Sequence, residues 1–280
     1  MSGARDPLEP FGAATRAWFE RAFPNGPTQA QTQAWRAVSA GEDTLVVAPT
    51  GSGKTLSAFL WSLDRLTHAP VPQDRARRCR VLYVSPLKAL AVDVERNLRQ
   101  PLAGIAAAAE ASGESLSPVT VGVRTGDTPA RERRRMATHP PDVLITTPES
   151  LFLVLTSKAR EGLSGVETVI VDEVHALAGT KRGAHLALSL ERLSELLERP
   201  AQRIGLSATV RPRETVAAYL GGTSAGPATI VAPPDTPHME LRVRAPVPDL
   251  DDPGSPPATA EGLPPDPRAG NTMARGSVWP

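Results

Sequence analysis

Eight consecutive residues, Ala48-Pro49-Thr50-Gly51-Ser52-Gly53-Lys54-Thr55, have the types and order that hold a phosphate. Gly51 and Gly53 tolerate backbone angles that other residues resist, so successive N–H groups can turn inward around an anion. Lys54 supplies a positive charge for the β- and γ-phosphates of a nucleotide, and the Thr55 hydroxyl can ligate Mg²⁺. The first position of the usual G-x-x-x-x-G-K-[ST] spacing is Ala48, a small residue in place of glycine. A glycine-rich turn ahead of a helix is the plain alternative. Binding a phosphate is not hydrolysis. A second stretch, Val169-Ile170-Val171-Asp172-Glu173-Val174-His175, ends an apolar run in two carboxylates. Asp172 can hold Mg²⁺ opposite Thr55, and Glu173 can orient and deprotonate an attacking water. The alternative for this pair, a helix N-cap, is weakened by the phosphate loop upstream.

Strands and helices must place these groups. The loop follows the apolar run Thr44-Leu45-Val46-Val47 and precedes a helix-like run from Lys54, whose N-terminal dipole would favour the phosphate. From there the pattern alternates. Strands are expected at 44–48, 80–85, 119–124, 142–146, 168–172, 203–206 and 229–232. Helices are expected at 54–66, 88–109, 129–137, 149–155, 184–197 and 212–219, after a lead-in with helices at 15–22 and 28–40. Short, continuously apolar strands between helices predict an α/β fold, a mostly parallel sheet covered on both faces, with ligands at the carboxyl ends of the strands. The expected domains are a lead-in over 1–26, a nucleotide-binding domain over 27–245 and a linker over 246–280.

Composition bounds the rest. The chain has 280 residues, 40% of them hydrophobic, and a formal net charge of +1. That charge neither supports nor excludes nucleic acid, so only a local patch could. The single cysteine, Cys79, excludes an intrachain disulfide and a cysteine-rich zinc site. It lies in Arg77-Arg78-Cys79-Arg80, where neighbouring cations could lower its pKa, although a plain thiol at the mouth of a strand is the favoured reading. No apolar run has the length of a membrane span and the N-terminus lacks an apolar signal core, so no membrane partner and a cytoplasmic location are expected. Residues 233–280 carry 12 of the 29 prolines and scarcely any apolar periodicity, which reads as a disordered linker. Asp249-Leu250-Asp251-Asp252 within it reads as a solvated acidic turn rather than a metal site.

Together, Ala48 to Thr55 and Asp172-Glu173-Val174-His175 resemble motifs I and II of superfamily 2 helicases of the DExH group. Further matches follow in order. Ser85-Pro86-Leu87-Lys88-Ala89-Leu90 resembles motif Ia, Thr125-Gly126-Asp127 and Thr146-Thr147-Pro148-Glu149-Ser150 resemble the motifs after it, and Ser207-Ala208-Thr209 resembles motif III. Pro27-Thr28 with Gln31 resembles the Q motif that reads adenine. The wording of these motifs, with Lys181-Arg182-Gly183-Ala184-His185-Leu186 and Leu190-Glu191-Arg192-Leu193, is similar to the large helicase-related (Lhr) family of DNA-repair helicases over residues 10–245.

The resemblance implies a RecA-like P-loop NTPase fold, ATP and Mg²⁺ as ligands, and single-stranded DNA or RNA as partner. Ala48, Pro49, Thr50, Gly51, Ser52, Gly53, Lys54 and Thr55 would cradle the triphosphate, and Gln31 would contact adenine. Thr55 and Asp172 would serve the metal and Glu173 would be the general base. His175, Ser207 and Thr209 would couple hydrolysis to strand movement. Pro86, Lys88, Gly126, Thr147 and Pro148 would lie on the single-strand track, which positions phosphates without reading bases. Plainer alternatives stand beside these: a surface amide for Gln31, a simple turn for Thr125-Gly126-Asp127, and a packing role for His185. Arg131, Arg133, Arg134 and Arg135 with Glu132 read equally as a nucleic-acid patch or a solvated face. The family's second RecA-like domain, with its arginine finger, has no counterpart before Trp279-Pro280, so the expectation is the first motor half, as a fragment or a truncated product. A non-catalytic nucleotide- or nucleic-acid-binding remnant is the competing reading.

Overall fold

A computed structural model describes residues 6–49, 51–223 and 226–234. Thr50, Asp249–Asp252 as an acidic turn, and the linker expected over 246–280 lie outside the described residues.

The chain begins with two helices, α1 (Ala13–Ala22) and α2 (Gln29–Ser39). Thr28 caps α2: its hydroxyl accepts from the Gln31 N–H, while the Gln31 side chain accepts from the Thr28 N–H at 2.9 Å. This reciprocal box satisfies two backbone donors that a helix start leaves open. Seven strands alternate with six more helices: β1 (Thr44–Val47), α3 (Lys54–His68), β2 (Val81–Val84), α4 (Lys88–Ser112), β3 (Val121–Arg124), α5 (Ala130–Thr138), β4 (Val143–Thr146), α6 (Pro148–Leu155), β5 (Thr168–Val171), α7 (Lys181–Leu196), β6 (Gln202–Ser207), α8 (Arg213–Gly221) and β7 (Thr229–Val231). Every expected strand is present, shorter at one or both ends except β6, which runs one residue further each way. All pairings are parallel, in the order β3-β4-β2-β5-β6-β1-β7. This is the RecA-like helicase fold.

Side-chain alternation divides the core into two layers. Leu45 and Val47, Leu82 and Val84, and Val169 and Val171 point to the face covered by α6, α7 and α8. Val46, Val81, Tyr83 and Ile170 point to the face covered by α2, α3 and α4. Residues of β1, β2 and β5 are buried on both sides, as continuous apolar runs require. The edge strands are the exceptions: β3 is half-buried throughout, and β7 runs from exposed to buried. A third cluster joins α1 to the body through Trp18, Phe19, Trp35, Leu60 and Ile105.

Cys79 follows its favoured reading as a plain thiol: it is fully buried, and burial pushes its pKa up to about 12 rather than down. The neighbouring guanidiniums do not attend it: Arg77 pairs with Glu198, while Arg78 and Arg80 pair with Asp142.

Candidate nucleotide and nucleic-acid site

Strand order assembles the site. Strand β6 lies between β5 and β1, and in register Val47 pairs with Ser207 while Val171 pairs with Gly205. The carboxyl ends of these three strands release the phosphate loop, the Asp172-Glu173 pair and Ser207-Ala208-Thr209 side by side. Stretches more than a hundred positions apart in sequence therefore share one edge of the sheet.

In the loop, Gly51 and Gly53 take positive φ of 84° and 80°. At Gly53 a side chain would also collide with the protein, since an added Cβ would fall 2.5 Å from Gln31 Nε2. Lys54 starts α3 and donates to the carbonyls of Ala48 and Pro49, the latter at 2.9 Å. Burial pulls the Lys54 ammonium pKa down, and the Glu173 and Asp172 carboxylates oppose that shift. Both acidic residues thus act electrostatically on the loop lysine. Gln31 is 4% exposed, and its Nε2 donates to the Gly53 carbonyl at 3.5 Å. It is not the surface amide of the plainer reading; it braces the phosphate loop from α2.

Both oxygens of Asp172 are held. Oδ1 accepts from the Glu173 N–H at 2.9 Å, and Oδ2 accepts from the Tyr83 hydroxyl. Tyr83 faces Ile170 in the β2–β5 register, so its side chain lies on the same face as Asp172 two residues on. It is buried and stacks on Phe59 at 5.0 Å between ring centroids. Phe59 stands one helical turn beyond Thr55 on α3. Burial and the adjacent Asp172 and Glu173 carboxylates push the Tyr83 hydroxyl far above its usual pKa, which keeps it a donor. Sequence reasoning missed Tyr83, because a tyrosine within an apolar strand reads as core.

Glu173 alone among the described non-glycine residues has a positive φ, 44°. Such a residue costs on the order of 1–3 kcal/mol unless the surroundings hold it there. Its carboxylate lies 3.4 Å from His175 Nδ1. The same nitrogen is 3.3 Å from both the Ser207 hydroxyl and the Ala208 N–H. An N–H pointing at Nδ1 selects the tautomer with its proton on Nε2. His175 therefore lies between the base candidate and the end of β6, with Nδ1 accepting from Ala208. Thr209 is exposed and makes no side-chain hydrogen bond among the described residues, so the structure brings two of the three coupling residues together.

The other half of the sheet edge, β3-β4-β2, carries the strand-track candidates. Lys88 and Gly126 are exposed, and Lys88 Nζ bonds Asp127 at 2.6 Å. Pro86, Thr147 and Pro148 are buried. Thr147 caps α6 by accepting from Ser150 N–H, and Pro148 opens that helix, where its missing N–H costs nothing. Those three residues are packed inside this edge rather than displayed on it. Glu149 next to them is held at about 2 by the Arg182 side chain, which reaches it from α7 at 2.9 Å. Arg131, Arg133, Arg134 and Arg135 stand exposed on α5, a helix with no buried residue. His185 packs on Phe152 at 4.6 Å, the plainer of its two roles.

The donors around Thr55 and Asp172 are a hydroxyl and one carboxylate, hard oxygen ligands that fit Mg²⁺ shared with phosphate oxygens. Among the described residues, no group of three or more histidine, cysteine or acidic side chains offers an all-protein metal site. No described helix is long and apolar enough to cross a membrane.

Known proteins resemble this chain in sequence and in fold. The DEAD/DEAH box helicase family matches residues 28–217. A Mycolicibacterium smegmatis protein, "Lhr helicase/ probable uracil glycosylase", is 64% identical over 245 residues, which are 88% of this chain and 16% of that protein. The Escherichia coli "Lhr helicase/uracil glycosylase" is 55% identical over 274 residues, 96% of this chain and 17% of that protein. This chain thus spans about a sixth of the length of these relatives. The solved structure of the M. smegmatis helicase Lhr bound to ssDNA and AMP-PNP superposes with a TM-score of 0.78 at 63% identity, covering 88% of this chain and 31% of that one. The RNA-bound helicase Mss116p shares the fold at 17% identity and a TM-score of 0.64. The chain belongs to the DEAD/DEAH box helicase family.

Proposed function

We propose that this chain is the ATP-binding half of an Lhr-type helicase motor, which binds Mg-ATP at the phosphate loop and single-stranded nucleic acid along the same sheet edge. The observation that carries the reading is the β5-β6-β1 order, which sets the phosphate loop, Asp172-Glu173 and the His175–Ser207 contact beside one another. The loop N–H groups and Lys54 hold the phosphates, with Gln31 fixing the loop from below. Thr55 and Asp172 would hold Mg²⁺, which when bound neutralises charge on the β- and γ-phosphate oxygens. Tyr83 and the Glu173 N–H fix the Asp172 carboxylate in one orientation. Glu173 takes the proton of the attacking water, and the carboxyl so protonated can donate to His175 Nδ1, which the carboxylate cannot. His175 lies against Ser207 and Ala208, so a change at Glu173 is felt at the end of β6. Lys88, Gly126 and the α6 start take the strand's phosphates, without base contacts, and the partner can be DNA or RNA. The M. smegmatis relative's ssDNA and AMP-PNP complex supports both ligands.

Helicases of this class close a second RecA-like domain over the nucleotide and contribute an arginine finger worth about 10³–10⁵ in rate in other NTPases. The 280-residue chain is therefore expected to bind ATP weakly, hydrolyse it slowly and not unwind. A strand-displacement assay on the purified chain checks this, and robust ATP-dependent unwinding contradicts it.

A further inference from the structure

The opposite end of the sheet holds a cavity of 630 Å³ that the nucleotide chemistry does not use. It is bounded by the segments entering β2, β5 and β6, so it lies at the amino ends of strands whose carboxyl ends carry the site above. Strands of four to six residues put the two ends roughly 13–20 Å apart. Four arginines line it, Arg65, Arg77, Arg80 and Arg199, against two glutamates, Glu167 and Glu198. Glu167 pairs with Arg65 and Glu198 with Arg77. Two positive charges, those of Arg80 and Arg199, remain without a carboxylate of the cavity.

Arg80 is the unusual one. Its side chain is 7% exposed, and its Nε is buried with no hydrogen-bond partner. Among the described residues its one side-chain hydrogen bond is a long one, 3.5 Å from Nη2 to Asp142 Oδ1. Asp142 is already engaged: Arg78 grips both its oxygens at 2.6 and 2.9 Å, and Thr120 donates to it twice at 2.7 Å. Burial raises the Asp142 pKa, and these hydrogen bonds outweigh that and hold it below the usual carboxylate range. One carboxylate therefore serves two guanidiniums, and the better geometry goes to Arg78. A buried guanidinium with an orphaned N–H is costly unless an anion completes it. Among the described residues, three of the four buried side-chain polar atoms without a partner are uncharged, and the one charged group sits in the wall of this arginine-rich cavity.

We propose that this cavity is a phosphate-binding site, distinct from the phosphate loop, in which Arg80 and Arg199 grip a dianionic phosphate group. The excess of two charges matches a phosphate dianion, and the planar guanidinium forks match its oxygens. The phosphate belongs either to a small anion or to the terminal phosphomonoester of a nucleic-acid strand, since both present a dianion whereas a phosphodiester within a strand carries a single charge. The site is independent of the nucleotide reading, because none of its residues belongs to the phosphate loop or to the Asp172 cluster.

The test is thermal unfolding of the full 280-residue chain with sodium pyrophosphate or chloride at matched ionic strength. It is run on Lys54→Ala, which removes the phosphate loop's lysine, and on Lys54→Ala combined with Arg199→Glu or Arg80→Met. Pyrophosphate is expected to raise the Tm of Lys54→Ala by about 2 °C or more and to lose that effect in both arginine variants. A second arm replaces pyrophosphate with a short 5′-phosphorylated oligothymidine. A shift with the same arginine dependence assigns the phosphate to a strand, whereas a shift with pyrophosphate alone assigns it to a small anion. The absence of any shift in Lys54→Ala, or a shift that survives Arg199→Glu, overturns the proposal. Because Arg199 is exposed and unpaired among the described residues, its variant decides the matter even if Arg80→Met fails to fold.

Discussion

Tyr83 shows how much one hydroxyl can decide. Its ring is core, stacked on Phe59, while its O–H reaches the carboxylate assigned to the metal. Tyr83→Phe keeps the packing and releases one Asp172 oxygen. A hydrogen bond to a charged group is worth about 1.5–3 kcal/mol, so ATP hydrolysis is expected to fall on the order of tenfold or more. Nucleotide binding without Mg²⁺ should be unchanged, and a titration with and without the metal checks the split. Gly53 is a second residue-scale case. Gly53→Ala places a Cβ at φ +80° and against Gln31, so nucleotide affinity should fall by about tenfold or more in a binding titration. The glycine requirement was legible in the sequence because phosphate loops have a fixed spacing. Tyr83 was not, since the partner of a buried tyrosine is set by strand pairing. The available signal was that a tyrosine hydroxyl in a fully buried strand must find an acceptor.

The elements repeat that lesson. Strands β1 to β7 could be placed by their apolar runs, because both faces of a covered sheet are buried. Their order could not, because a pairing such as β1 with both β6 and β7 is a non-local fact. Arginines flank Cys79, yet burial decides its state in favour of the plain thiol, and only tertiary packing shows how deep that burial is. The attachment of α1 carries a pH dependence. Asp64 on α3 accepts from the Gly12 N–H at the start of α1, and His68 Nε2 meets Glu114 beyond α4 at 3.1 Å. Burial pulls the His68 pKa down, but the Asp64 and Glu114 contacts outweigh it and leave it above 6.5. A raised folded-state pKa means the contribution is fully present below pH 6.5 and is lost as pH rises through the folded value. Thermal unfolding followed by tryptophan fluorescence, which reports on Trp18, Trp35 and Trp61 in that region, should show wild type losing its advantage over His68→Gln between about pH 6 and pH 8. A difference that is constant across that range contradicts the assignment.

For the molecule as a whole, the proposed function divides one sheet edge between two tasks. In that reading the β5-β6-β1 half takes the nucleotide and the β3-β4-β2 half takes the strand, with β2 and β5 adjacent where they meet. Tyr83 on β2 holding Asp172 beyond β5 is a direct link between the halves. The motifs made this division legible as a list of parts. How buried Pro86, Thr147 and Pro148 are, and how Gln31 serves the loop, came only from packing. The central claim is that Glu173 removes the proton of the attacking water at a nucleotide held by the phosphate loop. The measurement that tests it most directly is nucleotide binding and single-turnover hydrolysis by Glu173→Gln beside the unaltered chain. The account predicts binding within about twofold and hydrolysis reduced by about 10²-fold or more, to background. Hydrolysis at the rate of the unaltered chain contradicts it.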